Sequence, residues 1–255
     1  MIVRRSAHLV LAGLCLASIC AGRSLALTAQ GTLGDVIFDG QPQDDRRAPA
    51  PTIARYVSDE GESFVLDRSS PTPLLKFQES QEVLVLSPSQ AARGDTIYRD
   101  DLGEPVLRVT KLGGLTLFAH GRPGGAPVAL AGQAQALRLQ ALSAAGLGQK
   151  LLQASIRASH AARHLIVFDA QEVTTGSEAL FADAATVAAE AVGRIAKRHD
   201  GQGMLARFTR VLFTPGAAST ASINNGVMHV TLDTSRGLAG RPSSARIVAV
   251  ASRGR

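Results

Sequence analysis

The sequence has no tryptophan and only two tyrosines, Tyr56 and Tyr98, among its 255 residues, and its aromatic content is 4%. Proteins that bind single-stranded nucleic acid stack successive bases on aromatic side chains. Such a stacking surface cannot be built from so few rings, so we expect no nucleic-acid partner.

Cysteine is equally scarce, because Cys15 and Cys20 are the only two. Both lie in an N-terminal segment with the pattern of a secretory signal peptide, in which a basic start is followed by an apolar run over residues 7–22. A small-x-small site predicts cleavage between Ala26 and Leu27. We therefore expect an exported protein, periplasmic or extracellular; an uncleaved N-terminal membrane anchor is the alternative.

Cleavage would leave the mature chain without any thiol. It could then form no disulfide and could not bind a metal through a thiolate. We expect no bound metal and no cofactor. The fold must be held together by ordinary hydrophobic packing. A chain of this length with 45% hydrophobic residues is sufficient for such a core.

The formal net charge of +6 overstates the basic character of the mature chain. The signal peptide carries three arginines and no acidic residue, so its removal leaves 24 basic against 21 acidic residues, a net charge of +3. Arg236, Arg241 and Arg246 form a candidate basic patch that could weakly contact an anionic polymer or membrane surface. A solvated arginine-rich face is the simpler alternative.

Composition divides the chain into a signal peptide at 1–26, a flexible lead-in at 27–52 and an α+β domain at 53–255. The lead-in is rich in Gly, Pro, Gln and Asp, which is typical of linkers. A sub-boundary is predicted near 121–128, where glycine and proline cluster. We expect a single domain, although the sequence does not establish whether its two halves share one core.

Short β-type runs separated by turn residues fill the first half of the domain. Their spacing predicts an antiparallel sheet, arranged as a meander, a sandwich or a half-barrel. The seven predicted strands are 53–57, 63–66, 74–78, 82–86, 96–98, 106–111 and 115–118.

The second half mixes helices and strands. Its Ala-, Leu- and Gln-rich part predicts two helices interrupted by Gly146 and Gly148. Thr175 and Glu178 have the spacing of a capping box at the start of a further helix, whose apolar residues from Leu180 to Ile195 recur at helical spacing. The first two helices are predicted at 128–145 and 149–163, and strands at 165–168, 206–213, 226–232 and 245–250.

Few residues suggest chemistry. His160 and His164 have the i,i+4 spacing of two zinc ligands on one helix face. However, Ala161 occupies the place where a zinc peptidase carries its glutamate base. Asp169 ends a strand-like run, where ligands often bind in α/β layouts. These three are the candidate catalytic residues, and a solvated role is the alternative for each.

Six stretches carry a family resemblance: 64–68, 74–77, 93–98, 103–108, 113–118 and 241–247. Together they resemble an uncharacterised family of exported proteobacterial proteins that is classed only as a domain of unknown function. The resemblance implies export and a single folded unit. It supplies no activity, cofactor or catalytic residue.

Two functions from different classes remain. The first is an exported, non-enzymatic protein of the cell envelope that binds a partner protein or envelope component. The second is a periplasmic hydrolase whose site is assembled from distant residues. A cleft pairing a carboxylate with a histidine would favour the hydrolase, and an arginine-rich or flat apolar surface would favour the binding protein.

Overall fold

The structure is a computed structural model that describes residues 51–118 and 124–253. The predicted signal peptide, its cleavage site between Ala26 and Leu27, and nearly all of the predicted lead-in lie outside the described residues. Pro49–Arg255 form one compact unit. None of the described helices combines the length and the apolar content needed to cross a lipid bilayer.

The N-terminal half is one antiparallel sheet of nine strands in the order β4-β3-β2-β1-β9-β8-β7-β6-β5. Its two end strands, β4 and β5, are separated in the chain by Leu86 alone, so the sheet curls until its ends meet. The strands are β1 (Ile53–Ser58), β2 (Ser63–Asp67), β3 (Leu74–Phe77), β4 (Leu84–Val85), β5 (Ser87–Gln90), β6 (Thr96–Arg99), β7 (Pro105–Val109), β8 (Leu115–Leu117) and β9 (Ala126–Gln133).

Buried and more exposed side chains alternate along the strands, and the buried ones form the core of this sheet. In β1 the buried residues are Ala54, Tyr56 and Ser58, every second position, as a half-buried strand requires. The Tyr56 ring stacks on the Phe64 ring at a centroid distance of 5.7 Å. This core forms a hydrophobic cluster separate from that of the C-terminal half.

The C-terminal half packs helices on a four-stranded sheet of order β10-β11-β13-β12. β10, β11 and β13 run parallel, and β12 is antiparallel to β13. The elements are α1 (Ala144–Ala162), β10 (Val167–Ala170), α2 (Glu178–Ala196), α3 (Gly201–Leu205), β11 (Arg210–Pro215), β12 (Thr220–Asn224), β13 (Val227–Leu232) and α4 (Ser244–Ser252). The predicted α+β class, with a β-rich first half and a mixed second half, is confirmed.

Helix α2 is the centre of the C-terminal half, because 11 of its 19 residues are buried. The predicted apolar face is correct: every position from Leu180 to Ile195 assigned to it is buried. The predicted capping box does not form. Ser177 precedes the helix and donates its hydroxyl to the Thr174 carbonyl oxygen, while Glu178 accepts from the Gly176 N–H.

The predicted helix at 128–145 is wrong, because residues 126–133 form β9 between β1 and β8. Pairing on both edges outweighs the weak helix preference of Ala, Leu and Gln. The register shifts between Arg55 and Tyr56, and Gly132 opposite this bulge has φ +149°, which explains a glycine in the run.

Two further predictions for the second half are corrected. Gly146 and Gly148 do not interrupt a helix; they lie in the first turns of α1, which starts after Ser143, whose Oγ accepts from the Gly146 N–H at 3.2 Å. Residues 245–250, predicted as a strand, belong to helix α4. Ile247 and Ala251 are both buried, and their i,i+4 spacing is helical.

Asp67 ties the irregular segment after β9 to the end of β2. Its Oδ2 accepts from the Leu137 N–H at 2.8 Å, and its Oδ1 accepts from the N–H and the hydroxyl of Ser69. Burial alone would raise the pKa of this carboxyl, but the bonds from Ser69 and Leu137 outweigh burial and lower the pKa below its ordinary value.

Because the folded-state pKa of Asp67 is lowered, its contribution to stability is present above about pH 4 and is lost as the pH falls through the folded-state pKa. We expect Asp67→Asn to lower the free energy of unfolding at pH 7 by about 1–2 kcal/mol and to flatten its decline in acid. Urea unfolding at pH 7 and pH 3 measures both effects. Asp59→Asn, at an exposed position, is the control; an unchanged acid dependence in Asp67→Asn would contradict the assignment.

Candidate functional site

A buried arginine joins the two halves of the domain. The Arg241 side chain is 1% exposed. Its Nε donates to Asp183 Oδ2 on α2, its Nη2 donates to the Val83 carbonyl oxygen at 2.9 Å, and its Nη1 lies 3.6 Å from Glu82 Oε1. One guanidinium thus bonds to helix α2 and to the loop between β3 and β4.

Glu82 continues this contact to the start of α4. Its Oε1 accepts from the Ser244 N–H at 2.9 Å, and its Oε2 accepts from the Ser244 hydroxyl. Burial raises the pKa of the Glu82 carboxyl, while Arg241 and the Ser244 bonds oppose that rise. We call Glu82, Asp183, Arg241 and Ser244 the buried polar network.

A second polar contact lies closer to solvent. Asp101, in the turn between β6 and β7, accepts from the Ser243 N–H at 3.0 Å and from the Ser243 hydroxyl at 2.5 Å. The Arg246 Nε donates to the same carboxylate at 2.9 Å, and its Nη2 donates to the Asp101 carbonyl oxygen. The Asp101 and Glu82 carboxylates therefore already accept from the N–H groups of Ser243 and Ser244, the cap and the first residue of α4.

Between these contacts the structure has a cleft of about 410 Å³. It lies where the two end strands of the large sheet face the loop before β12 and the segment before α4. We call it the seam cleft. Its walls are formed by Pro71, Thr72, Leu84, Val85, Leu86, Ser87, Pro88, Asp100, Asp101, Ala217, Ala218, Ser219, Arg236, Ala239, Arg241, Ser243 and Arg246.

Two charged groups in the seam cleft have unused bonding capacity. Arg236 is exposed, and among the described residues no carboxylate lies within ion-pair distance of its guanidinium. Asp100 accepts at Oδ1 from the N–H groups of Leu102 and Glu104, both at 2.9 Å, while its Oδ2 has no described donor. Burial raises the pKa of the Asp100 carboxyl, and the charges of Asp101 and Glu104 add to the rise.

The three residues of the predicted basic patch line the seam cleft together, but they are not one solvated surface. Arg241 is buried in the polar network, Arg246 is paired with Asp101, and Arg236 alone is exposed and unpaired among the described residues. The sequence places them near one another in the chain. It gave no sign that Glu82 and Asp183 neutralise Arg241.

The candidate catalytic residues lie in three places: on the last turn of α1, just beyond that helix and on β10. His160 is exposed on the last turn of α1, and His164 lies beyond it with its ring nitrogens 3.1 Å and 3.2 Å from the carbonyl oxygens of Ala162 and Phe208. Asp169 on β10 is ion-paired with Arg210. Within residues 51–118 and 124–253, no group of three or more His, Cys, Asp or Glu side chains is placed to hold a metal ion.

Sequence reasoning missed the acidic half of the site. Glu82 was predicted only as part of the strand 82–86, and neither Asp101 nor Asp183 was a candidate site residue. The only local signal was Ser243-Ser244 before an apolar run, the pattern of a helix N-cap. Two charged residues of α2 also contact distant serines: Glu190 accepts from the Ser80 hydroxyl, and Arg194 donates to Ser244 Oγ.

Fold and site together define an α+β protein whose antiparallel sheet joins a helical half through buried ion pairs beside a polar cleft. Residues 32–251 match a family described as a domain of unknown function (DUF4908), and the chain belongs to that family. The resemblance to such a family is thereby confirmed. No curated protein and no solved structure matches the chain.

Proposed function

We propose that the protein is an exported, non-enzymatic binding protein of the cell envelope that takes an anionic group of its ligand into the seam cleft. The observation that carries the proposal is Arg236, an exposed guanidinium on the cleft wall without a described acidic partner. A guanidinium presents five N–H donors in a planar fork that suits carboxylate and phosphate oxygens.

The second arginine on the wall supports this assignment. Arg246 uses Nε and Nη2 on Asp101, so its Nη1 keeps donors for a ligand. The volume of about 410 Å³ lies within the range of roughly 300–1,000 Å³ that is usual for small-molecule pockets. The ligand is therefore a small molecule or the exposed end of a larger one.

Export is proposed from the N-terminal sequence. Its basic start, apolar run and small-x-small site are the pattern of a cleavable signal. Protein recovered from its native envelope should have the intact mass of a chain that starts at Leu27. The mass of a chain that still carries residues 1–26 would contradict cleavage.

The hydrolase alternative has less support. The residues that line the cleft include arginines and no histidine. Among the residues that line the cleft, the arrangement most similar to a nucleophile with its base is Ser243, whose hydroxyl donates to Asp101. However, Asp101 also accepts from the Ser243 N–H and from Arg246, and the Ser243 oxygen accepts from the Arg246 N–H as the cap of α4. The Ser243 and Asp101 side chains are therefore explained by their role in capping α4 and need no catalytic role.

Replacing Arg236 by glutamine tests the proposal. A hydrogen bond to a charged group contributes about 1.5–3 kcal/mol, so we expect at least about tenfold weaker binding of an anion. The probes are a mixture of N-acetylated di- and tripeptides and, separately, inorganic phosphate, titrated calorimetrically into the mature chain.

The matched control is Arg253→Gln, which removes the same charge from an exposed residue outside the cleft. It should bind as the wild type does. Equal affinity of Arg236→Gln and Arg253→Gln would refute anion binding in the seam cleft. A wild type that binds neither these probes nor the same peptides without the acetyl group would refute it as well.

A further inference from the structure

Some charged groups of the seam cleft have hydrogen-bonding atoms that no described protein group uses, and these groups include both positive and negative charges. Arg241 and Asp101 are fully engaged with protein partners. Arg236 and the Nη1 of Arg246 can donate hydrogen bonds to an anionic group of a ligand. Asp100 Oδ2 can accept a hydrogen bond from a donor group of the ligand. A ligand that carries only an anion would leave Asp100 Oδ2 without a cationic donor in a partly desolvated place, which is costly.

The remaining walls restrict the body of the ligand. The residues lining the cleft include no aromatic side chain, so a nucleobase would find no ring to stack on. The small side chains of Ala217, Ala218 and Ala239 allow close approach of a main chain. The hydroxyls of Ser87 and Ser219 can exchange hydrogen bonds with peptide groups.

We infer that the seam cleft binds a zwitterionic ligand, an amino acid or the free form of a short peptide, with its carboxylate on Arg236 and its ammonium on Asp100. The inference rests on the proposed function, because it names the ligand class of the same cleft. An ammonium beside Asp100 would offset the effect of burial on that carboxyl and favour its charged form.

Three probe mixtures separate the two ends of the ligand: unmodified di- and tripeptides, the same peptides N-acetylated, and the same peptides C-amidated. We expect the unmodified mixture to bind at least tenfold more tightly than either capped mixture. Asp100→Asn should reduce the affinity of the unmodified mixture toward that of the N-acetylated one. It should not weaken binding of the N-acetylated mixture, because the variant no longer places an unpaired carboxylate beside that anionic ligand.

Asn at position 100 is a conservative replacement for this purpose. Its side-chain oxygen can still accept from the N–H groups of Leu102 and Glu104 and preserve the turn. A loss of N-acetylated peptide binding in Asp100→Asn would show damage to the cleft instead of a lost ammonium contact, and it would overturn the assignment of Asp100.

The outcomes also distinguish this inference from the proposed function. N-acetylated peptides that bind as tightly as unmodified ones would overturn the zwitterion while leaving anion binding intact. If C-amidated peptides bind as tightly as unmodified ones, the C-terminal carboxylate of the ligand does not contribute to binding, which would overturn its assignment to Arg236. Failure of all three mixtures to bind would refute both proposals.

Discussion

Replacing Arg241 by methionine should lower the free energy of unfolding by about 3–5 kcal/mol, the cost of removing one partner of a buried ion pair. The guanidinium is almost fully buried and bonds to Asp183 and the Val83 carbonyl, with Glu82 nearby. Without it, two carboxylates remain close together in a desolvated place. Denaturant unfolding of the mature chain measures the loss.

Two companion variants make this test specific. Arg246→Met breaks an ion pair whose arginine side chain is 38% exposed, and should cost only about 1 kcal/mol. Removing all the charges together, as Glu82→Gln, Asp183→Asn and Arg241→Met, should recover part of the loss because no unpaired charge remains. A loss in Arg241→Met no larger than that in Arg246→Met would contradict the role assigned to the buried polar network.

Replacing Gly201 by alanine should destabilise the protein by about 3 kcal/mol, at the upper end of overpacking effects. Gly201 begins α3 directly after the turn that follows α2. A Cβ there would lie 1.9 Å from the Ile195 carbonyl oxygen, and a backbone atom cannot rotate away. The tight reversal from α2 into α3 would have to open.

Gly203 in the same helix is the matched control. A Cβ at Gly203 would meet no atom within 4 Å, and alanine is the better helix former by about 1 kcal/mol. Gly203→Ala should therefore be neutral or stabilising by thermal unfolding. Equal changes in stability from the two substitutions would contradict the claim that a Cβ at position 201 clashes with the Ile195 carbonyl oxygen.

The sequence predicted those elements whose signal is local. Turn clusters between β-type runs located β1, β2 and β3, because glycine, proline and aspartate interrupt strands for backbone reasons that do not depend on the rest of the chain. The apolar face of α2 was equally predictable, because apolar residues that recur every 3.6 positions over a long segment indicate a helix and no other regular structure.

The missed elements depend on distant partners. β9 has a composition that weakly favours a helix, and it is a strand because β1 and β8 pair with its two edges. α4 is a short apolar run that periodicity alone does not separate from a strand. β5 contains Pro88, which argues against an interior strand and suits the sheet end where it lies.

The site was predictable only on its basic side. Arg236, Arg241 and Arg246 are close in sequence, so their grouping was visible. Glu82 and Ser244 are 162 positions apart, and Asp101 and Ser243 are 142 apart. No spacing rule connects residues at such separations, and folding brings them together because the large sheet packs against the helical half.

The most direct test of a ligand-binding seam cleft is amide chemical-shift mapping of the isotopically labelled mature chain during titration with unmodified di- and tripeptides. The cleft is lined by residues 84–88, 100–101 and 217–219 together with Arg236, Ala239, Arg241, Ser243 and Arg246. We predict saturable shifts concentrated at these residues, and at least about tenfold weaker binding in Arg236→Gln. Saturable shifts centred elsewhere, such as around His160 and Asp169, or unchanged shifts in Arg236→Gln, would contradict the account.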